Sequence, residues 1–402
     1  MSYRDKLLEI QDAQKSVLIR RDTEIRGVWL TLLSGQHGFL FGPPGVAKSM
    51  IVEDVSRYFP DMQYFYNLMG KHTSPEDLFG PLSISALRDD RHARNIEAYL
   101  PTADIAFLDE GFKANGAILN TNLQIMNERK FRNDAVMLNV PLKSMFVASN
   151  EIPTDPELAA MYDRILFRFN VADLEHPSDF RALLEKETAI KAFLQAAPVV
   201  TFSGKDFAKI REAVNNVTVP RQVMGDIVSI RDTLAMDHNI RASSRRWLQT
   251  LQGIRAHAYL SGRDEAVRED LQPLTYMLWS HPREIADVET VVWAVANPTL
   301  YAIRGLKDLI TILSRDIEKS LNNARGNEIN LVMADYTAKI GKVQDDVYMH
   351  KQIAAEEFHE AFNYMEDYLH GQKLRLAHLA ADLDIAEGMA AGKIIPWEPE
   401  RI

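Results

Sequence analysis

Hydrophobic positions along this chain of 402 residues change their period near residue 187. Up to about residue 186, short apolar, β-rich runs alternate with stretches of 3.6-residue period, which predicts a three-layer α/β unit around a mostly parallel sheet. Five strands are expected, at 37–41, 63–67, 105–108, 144–148 and 165–169, each ending in turn-forming or polar residues. In sheets of this kind a ligand binds at the carboxyl ends of the strands. Beyond residue 187 the helical period takes over, with Phe207, Ile210 and Val214 as one stripe and Val223, Ile227, Ile230 and Leu234 as another. After about residue 275 the helices lengthen. Leu306, Leu309, Leu313, Ile317 and Leu321 form one apolar face, and Tyr336, Ile340, Val343, Val347, Phe358, Phe362, Met365 and Leu369 form a second. These predict a long helical hairpin or three-helix arm with breaks near 322–327 and 370–372. The expected division is therefore an α/β core over 1–186, a helical lid over 187–274 and a helical extension over 275–402, with 388–402 as an exposed tail.

Composition narrows the chemistry. There is no cysteine, so disulfides, thiolate catalysis and cysteine-held metal centres are excluded, and any metal would sit on oxygen or histidine ligands. With 46 basic and 56 acidic side chains the net charge is −10, which argues against a large sequence-independent affinity for nucleic acid. Residues 301–402 carry 12 basic and 17 acidic side chains, a better match to a protein-docking surface than to a nucleic-acid groove. No apolar run reaches about 18 residues and the opening residues have no apolar signal core, so no membrane span is expected and the cytoplasm is the expected compartment.

The most informative segment runs Phe39-Leu-Phe-Gly-Pro-Pro-Gly-Val-Ala-Lys-Ser49, an apolar strand entering a Gly/Pro loop that opens a helix. That order suits a phosphate-binding loop, because backbone N–H groups and a helix N-terminus converge on phosphate oxygens. Gly42, Pro43, Pro44, Gly45, Val46, Ala47, Lys48, Ser49 and Met50 are the candidate ATP-binding residues. Lys48 would reach the β- and γ-phosphates, and Ser49 would ligate Mg²⁺ through its hydroxyl. The strict loop pattern wants glycine at position 47, where this chain has Ala47. Sixty residues after Ser49, the strand Ile105-Ala-Phe-Leu ends in Asp109-Glu110. Asp109 can hold the Mg²⁺ shell while Glu110 polarises the attacking water. Alone, such a pair also occurs at ordinary solvated strand ends; behind a phosphate-binding loop it gains meaning.

GPPGVAKS and FLDE, followed by ILNTNLQIMNERKFRN, VASNE and MYDRILFRF, resemble the MoxR branch of the AAA+ ATPases, most closely the subgroup of regulatory ATPase variant A. The resemblance covers roughly residues 20–275 and fades from residue 330, where no β-rich insertion is visible. It implies an AAA+ P-loop core with a five-stranded parallel sheet, an all-helical lid and a C-terminal helical arm. It also implies Asn150 as sensor 1, Arg164 as an arginine finger given to a neighbouring subunit with Arg168 as a second, and Arg245 as sensor 2 on the lid, with Arg246 as the adjacent alternative. Residues 78–101 resemble the helix-2 insert of this clade, and 130–141 the presensor hairpin. The function implied is an ATP-hydrolysing homo-hexamer that remodels or activates a protein client, often one with a von Willebrand factor A domain. Two other readings stay open at this point: an ATP-gated scaffold that docks partners through its arm, and a DNA-directed motor, which the acidic balance opposes.

Overall fold

A computed structural model describes residues 2–70, 72–113, 116–153, 155–174, 177–323 and 327–380. The 388–402 tail and part of the break near 322–327 lie outside the described residues. The chain divides into two compact units, Met1–Val292 and Trp293–Ile402.

The first unit begins with α1 (Tyr3–Val17) and α2 (Asp22–Ser34), then β1 (Gly38–Phe41), α3 (Lys48–Arg57), β2 (Tyr64–Leu68), and the short α4 (Pro75–Phe79) and α5 (Ile84–Arg88). There follow β3 (Ile105–Asp109), α6 (Gly116–Glu128), β4 (Lys130–Asn133), β5 (Val136–Asn139), β6 (Ser144–Ser149), α7 (Pro156–Arg164) and β7 (Phe167–Asn170). All five expected strands form. They pair in parallel in the order β2-β3-β6-β1-β7, and both faces of the sheet are covered. Phe39, Ala106, Leu108, Met145 and Val147 meet Ile118, Leu119, Ile125, Met161 and Tyr162 from α6 and α7. The opposite face meets α2 and α3. Burial on both sides explains why these strands read as continuous apolar runs with no polar alternation. The two remaining strands make an antiparallel hairpin, Lys130 opposite Asn139 and Asn133 opposite Val136, where the presensor hairpin is expected.

The helical remainder of this unit comprises α8 (Pro177–Glu185), α9 (Glu187–Gln195), α10 (Gly204–Asn216), α11 (Arg221–Asp237) and α12 (Ser244–Leu260), then a 3-10 segment at Arg268–Tyr276 and the part of α13 (Ile285–Ala296) up to Val292. The predicted stripes face inward: Phe207, Ile210 and Val214 on α10 are buried, as are Val223, Ile230 and Leu234 on α11, with Ile227 partly buried.

The second unit is a three-helix arm, α14 (Pro298–Asn323), α15 (Asn327–Ile353) and α16 (His359–Ala380). Its core joins Ile303, Leu306, Ile310, Leu313 and Ile317 to Tyr336, Ile340, Val343, Val347, Phe362, Met365 and Leu369. Ile310 takes the inward position expected of Leu309, which is 43% exposed. The predicted break at 370–372 is absent: α16 runs through it, and the turn falls between Ile353 and His359. One glycine costs a helix about 1 kcal/mol. Buried Tyr368, Leu369 and Leu376 on either side of it, with the Gln372 amide donating to Tyr368 Oη at 2.7 Å, outweigh that. Among the described residues no helix is long and apolar enough to cross a membrane.

Candidate nucleotide site

At the carboxyl edge of the sheet, β1 leads directly into the loop 42–47 and α3. The loop is shaped by backbone conformations that L-residues avoid. Gly45 lies at φ +86° and Ala47 at φ +67°, while a Cβ on Gly42 would come within 2.2 Å of the Val171 carbonyl oxygen. Ala47 is also the N-cap of α3 and makes no side-chain cap, so the first-turn N–H groups of that helix face outward with the helix dipole behind them. Arg21, 7% exposed, braces the loop from behind, its guanidinium donating to the carbonyls of Val46 at 3.3 Å and Ala172 at 2.9 Å. Lys48 Nζ donates to the carbonyls of Gly42 and Pro43, both at 2.7 Å. Burial lowers its pKa, while Asp109 and Glu110 work in the opposite direction. Those opposing contributions put Lys48 in the same electrostatic field as the two carboxylates.

Strand order assembles the remaining residues. β6 lies between β3 and β1, so Asn150, the residue after β6, emerges between the loop and the Asp109-Glu110 pair. Asp109 Oδ1 accepts the Glu110 N–H at 3.1 Å; burial raises the Asp109 pKa, against the pull of that N–H and of Lys48. Glu110 turns away from the strand at φ +50°, a strained conformation of the kind that accumulates at functional sites. Its Oε2 is 3.2 Å from Lys113 Nζ. Ser49 and Asp109 are hard oxygen donors, the chemistry Mg²⁺ requires.

Beside the loop lies a cavity of about 170 Å³ lined by Gly45, Val46, Ala47 and Met50 together with Leu18, Ile19, Asp173, Leu174, Leu183 and Ile190. Of these, only the loop residues and Met50 were legible as site residues. The others come from four separate segments with no shared motif, which only the fold brings together.

Arg164 and Arg245 sit elsewhere. Phe167, three residues beyond Arg164, pairs with Gly38 at the amino end of β1, whereas the loop leaves the carboxyl end. A four-residue strand separates those ends by about 13 Å. At this second face Asp163 accepts from Ser243 Oγ at 3.0 Å and Arg246 Nη2 at 3.3 Å, and Arg245 Nη1 lies 3.8 Å away. Arg245 is half-exposed and Arg246 is buried, donating also to Ser280 Oγ at 3.1 Å. Among the described residues, Asp163 and Arg164 are charged neighbours of Arg245, the residue expected as sensor 2 on the lid. Burial lowers the Arg164 pKa and the nearby Arg245 adds to that.

Arg168 lies further from its expected role. It is fully buried, donating to the carbonyls of Trp279 at 2.5 Å and Tyr162 at 2.8 Å, and lies 4.0 Å above the Tyr162 ring. Burial pushes its pKa down to about 9. A guanidinium committed to its own core cannot serve a neighbouring subunit as a second finger. The sequence held one hint: Arg168 stands between Phe167 and Phe169 in a short apolar run.

Comparison with known proteins bears on this arrangement. Residues 5–201 match the sequence profile of the MoxR domain in the MoxR-vWA-beta-propeller ternary systems, and residues 222–292 match that of an AAA lid domain. The chain is 33% identical to an uncharacterized protein of Methanocaldococcus jannaschii over 90% of this chain and 98% of that one. It is 24% identical to the chaperone MoxR1 of Mycobacterium tuberculosis over 64% of this chain and 70% of that one. In structure it is similar to a candidate ATPase from Cytophaga hutchinsonii, with a TM-score of 0.58 and 18% identity, covering 72% of this chain and 94% of the other. The finer likeness to regulatory ATPase variant A remains a likeness, but with the loop, the paired carboxylates, the five-stranded order and the lid in agreement, the chain belongs to the MoxR family of AAA+ ATPases.

Proposed function

We propose that this protein hydrolyses ATP, that it does so as a homo-hexameric ring in the cytoplasm, and that the work is spent on remodelling or activating a protein partner. The observation carrying this reading is the separation of its parts. The phosphate loop with Asp109, Glu110 and Asn150 lies at one edge of the sheet and Arg164 with Arg245 at the other, so one chain holds two halves of different sites and a second copy would complete each.

In this reading residues 1–186 carry the nucleotide, residues 187–274 form the lid and residues 275–402 the extension. The cavity beside Met50 takes the purine base between apolar side chains. Lys48 exchanges its two loop carbonyls for the β- and γ-phosphates, which accept a charged donor more strongly than neutral carbonyls do. Glu110 accepts the proton of the attacking water while Asn150 orients that water. Arg164 and Arg245 of one subunit stabilise the charge that develops on the neighbour's phosphates. Ser49 and Asp109 would hold Mg²⁺, which when bound supplies charge neutralisation across the phosphates. The partner we propose is a protein carrying a von Willebrand factor A domain, as the description of the matched profile suggests.

Glu110→Gln tests the assignment at its centre. ATP affinity should be retained and steady-state phosphate release should fall at least about 100-fold, the lower range for losing a general base. Near-normal turnover in that variant would remove Glu110 from the chemistry.

A further inference from the structure

We infer that Asp163 is a positioning residue that holds Arg164 and Arg245 together and ties them to the lid; the inference rests on the trans-completed site proposed above. Its contacts cross from α7 to α12 within the first unit. Ser243 Oγ donates to Asp163 Oδ1 at 3.0 Å, with Oδ2 at 3.2 Å. The same hydroxyl accepts the Arg246 N–H at 3.2 Å as the N-cap of α12. Arg246 adds a charge-assisted bond to Asp163 at 3.3 Å. A second strut runs beside it, with Tyr162 Oη donating to the Ser280 carbonyl at 2.8 Å and Arg246 and Arg168 both reaching Ser280 Oγ, at 3.1 and 3.3 Å. The end of α7 is therefore fastened to the first turn of α12, and a rotation of the lid must carry Arg164 with it.

Charge gives Asp163 a second task. Arg164, Arg168, Arg245 and Arg246 gather around this carboxylate, with Glu284 as a further acid. Arg164 and Arg245 repel each other, a repulsion that a nearby counter-charge offsets. Asp163 supplies a counter-charge 3.8 Å from Arg245, while the Arg164 side chain donates from Nη1 to the Ala160 carbonyl of its own helix at 2.5 Å, so Asp163 acts on Arg164 through its charge and by anchoring the end of α7. Two arginines held convergent present more donors to one phosphate than either alone. The cap of α12 does not depend on Asp163, because Ser243 accepts the Arg246 N–H by itself, so removing the charge affects the coupling and leaves the helix.

The test is subunit mixing with Asp163→Asn, which keeps size and one acceptor and removes the charge. Asp163→Asn should bind ATP within about 2-fold of wild type but hydrolyse it at least 10-fold more slowly, a loss in kcat and not in KM. Mixed with Lys48→Ala subunits, which keep their arginines, it should regain turnover; mixed with Arg164→Ala subunits it should not. Asp163→Glu should recover part of the rate. Wild-type turnover by Asp163→Asn, or failure of Lys48→Ala to rescue a variant that still binds ATP, would overturn the inference. If Asp163→Asn does not fold, Ser243→Ala takes its place, with the same mixing pattern expected and normal turnover overturning the idea. A silent control mixture of Arg164→Ala with Lys48→Ala would instead bring down the trans-completed site, and this inference with it.

Discussion

Ala47 occupies a left-handed position, φ +67°, that costs an L-residue about 1–2 kcal/mol. The departure from glycine is visible in the sequence, but its price in backbone strain is not. Ala47→Gly should raise the thermal midpoint by about 2 °C, part of the strain relief being offset by the greater freedom of glycine when unfolded; a lower midpoint in calorimetry would refute the strain. His37 shows a different kind of invisibility. It reads as the start of a strand, yet it is 3% exposed, its Nδ1 accepting the Met145 N–H at 2.9 Å, and burial aided by Arg129 pushes its pKa down to about 3. An unfolded histidine takes up its proton near pH 6.5. Below that pH the unfolded chain therefore binds one more proton than the folded one, and stability is lost as the pH falls from about 6.5 towards 3. Denaturant titrations should show His37→Gln less sensitive to pH over this window, by up to about 1.4 kcal/mol per unit, whereas identical slopes would mean that His37 is protonated in the fold.

Elements were legible where one physical signal decides them. The five sheet strands are short, apolar and doubly buried, and no competing period obscures them. Gly371 reads as a stop, but tertiary packing overrides it, and Leu309 reads as inward because a leucine stripe tolerates a shift of one residue. Relations between elements were not legible at all. The insert containing α4 and α5 is joined to the hairpin by Asn133, whose side chain accepts the Arg94 N–H at 2.7 Å and donates to the Arg94 carbonyl at 3.1 Å, with Phe79 stacked on Phe131 at 5.5 Å. Replacing Asn133 with Ala removes two hydrogen bonds, each worth about 1 kcal/mol. Hydrogen exchange should then accelerate at the Arg94 amide and its neighbours by about 10-fold while the amides of β1 and β6 stay protected. Unchanged exchange at Arg94 would show that the two segments do not depend on this staple.

For the whole molecule, the motifs name candidate parts of a nucleotide site, and the sheet order sets them at opposite ends of the strands. Strand ends carry Lys48, Asp109, Glu110 and Asn150 to one edge, while Arg164 is left at the other. No sequence spacing could reveal this, since it depends on β7 pairing beside β1 in parallel. Light scattering of the 45.7 kDa chain should show ATP shifting the protein to six copies, and a nucleotide-insensitive monomer would leave Arg164 without a site to serve. The most direct test of the central claim is phosphate release from a mixture of Arg164→Ala and Lys48→Ala subunits, each inactive alone. Turnover should return on mixing, because the intact loop of one meets the intact arginine of the other. Mixtures that stay silent at every ratio, while both variants still assemble, would contradict it.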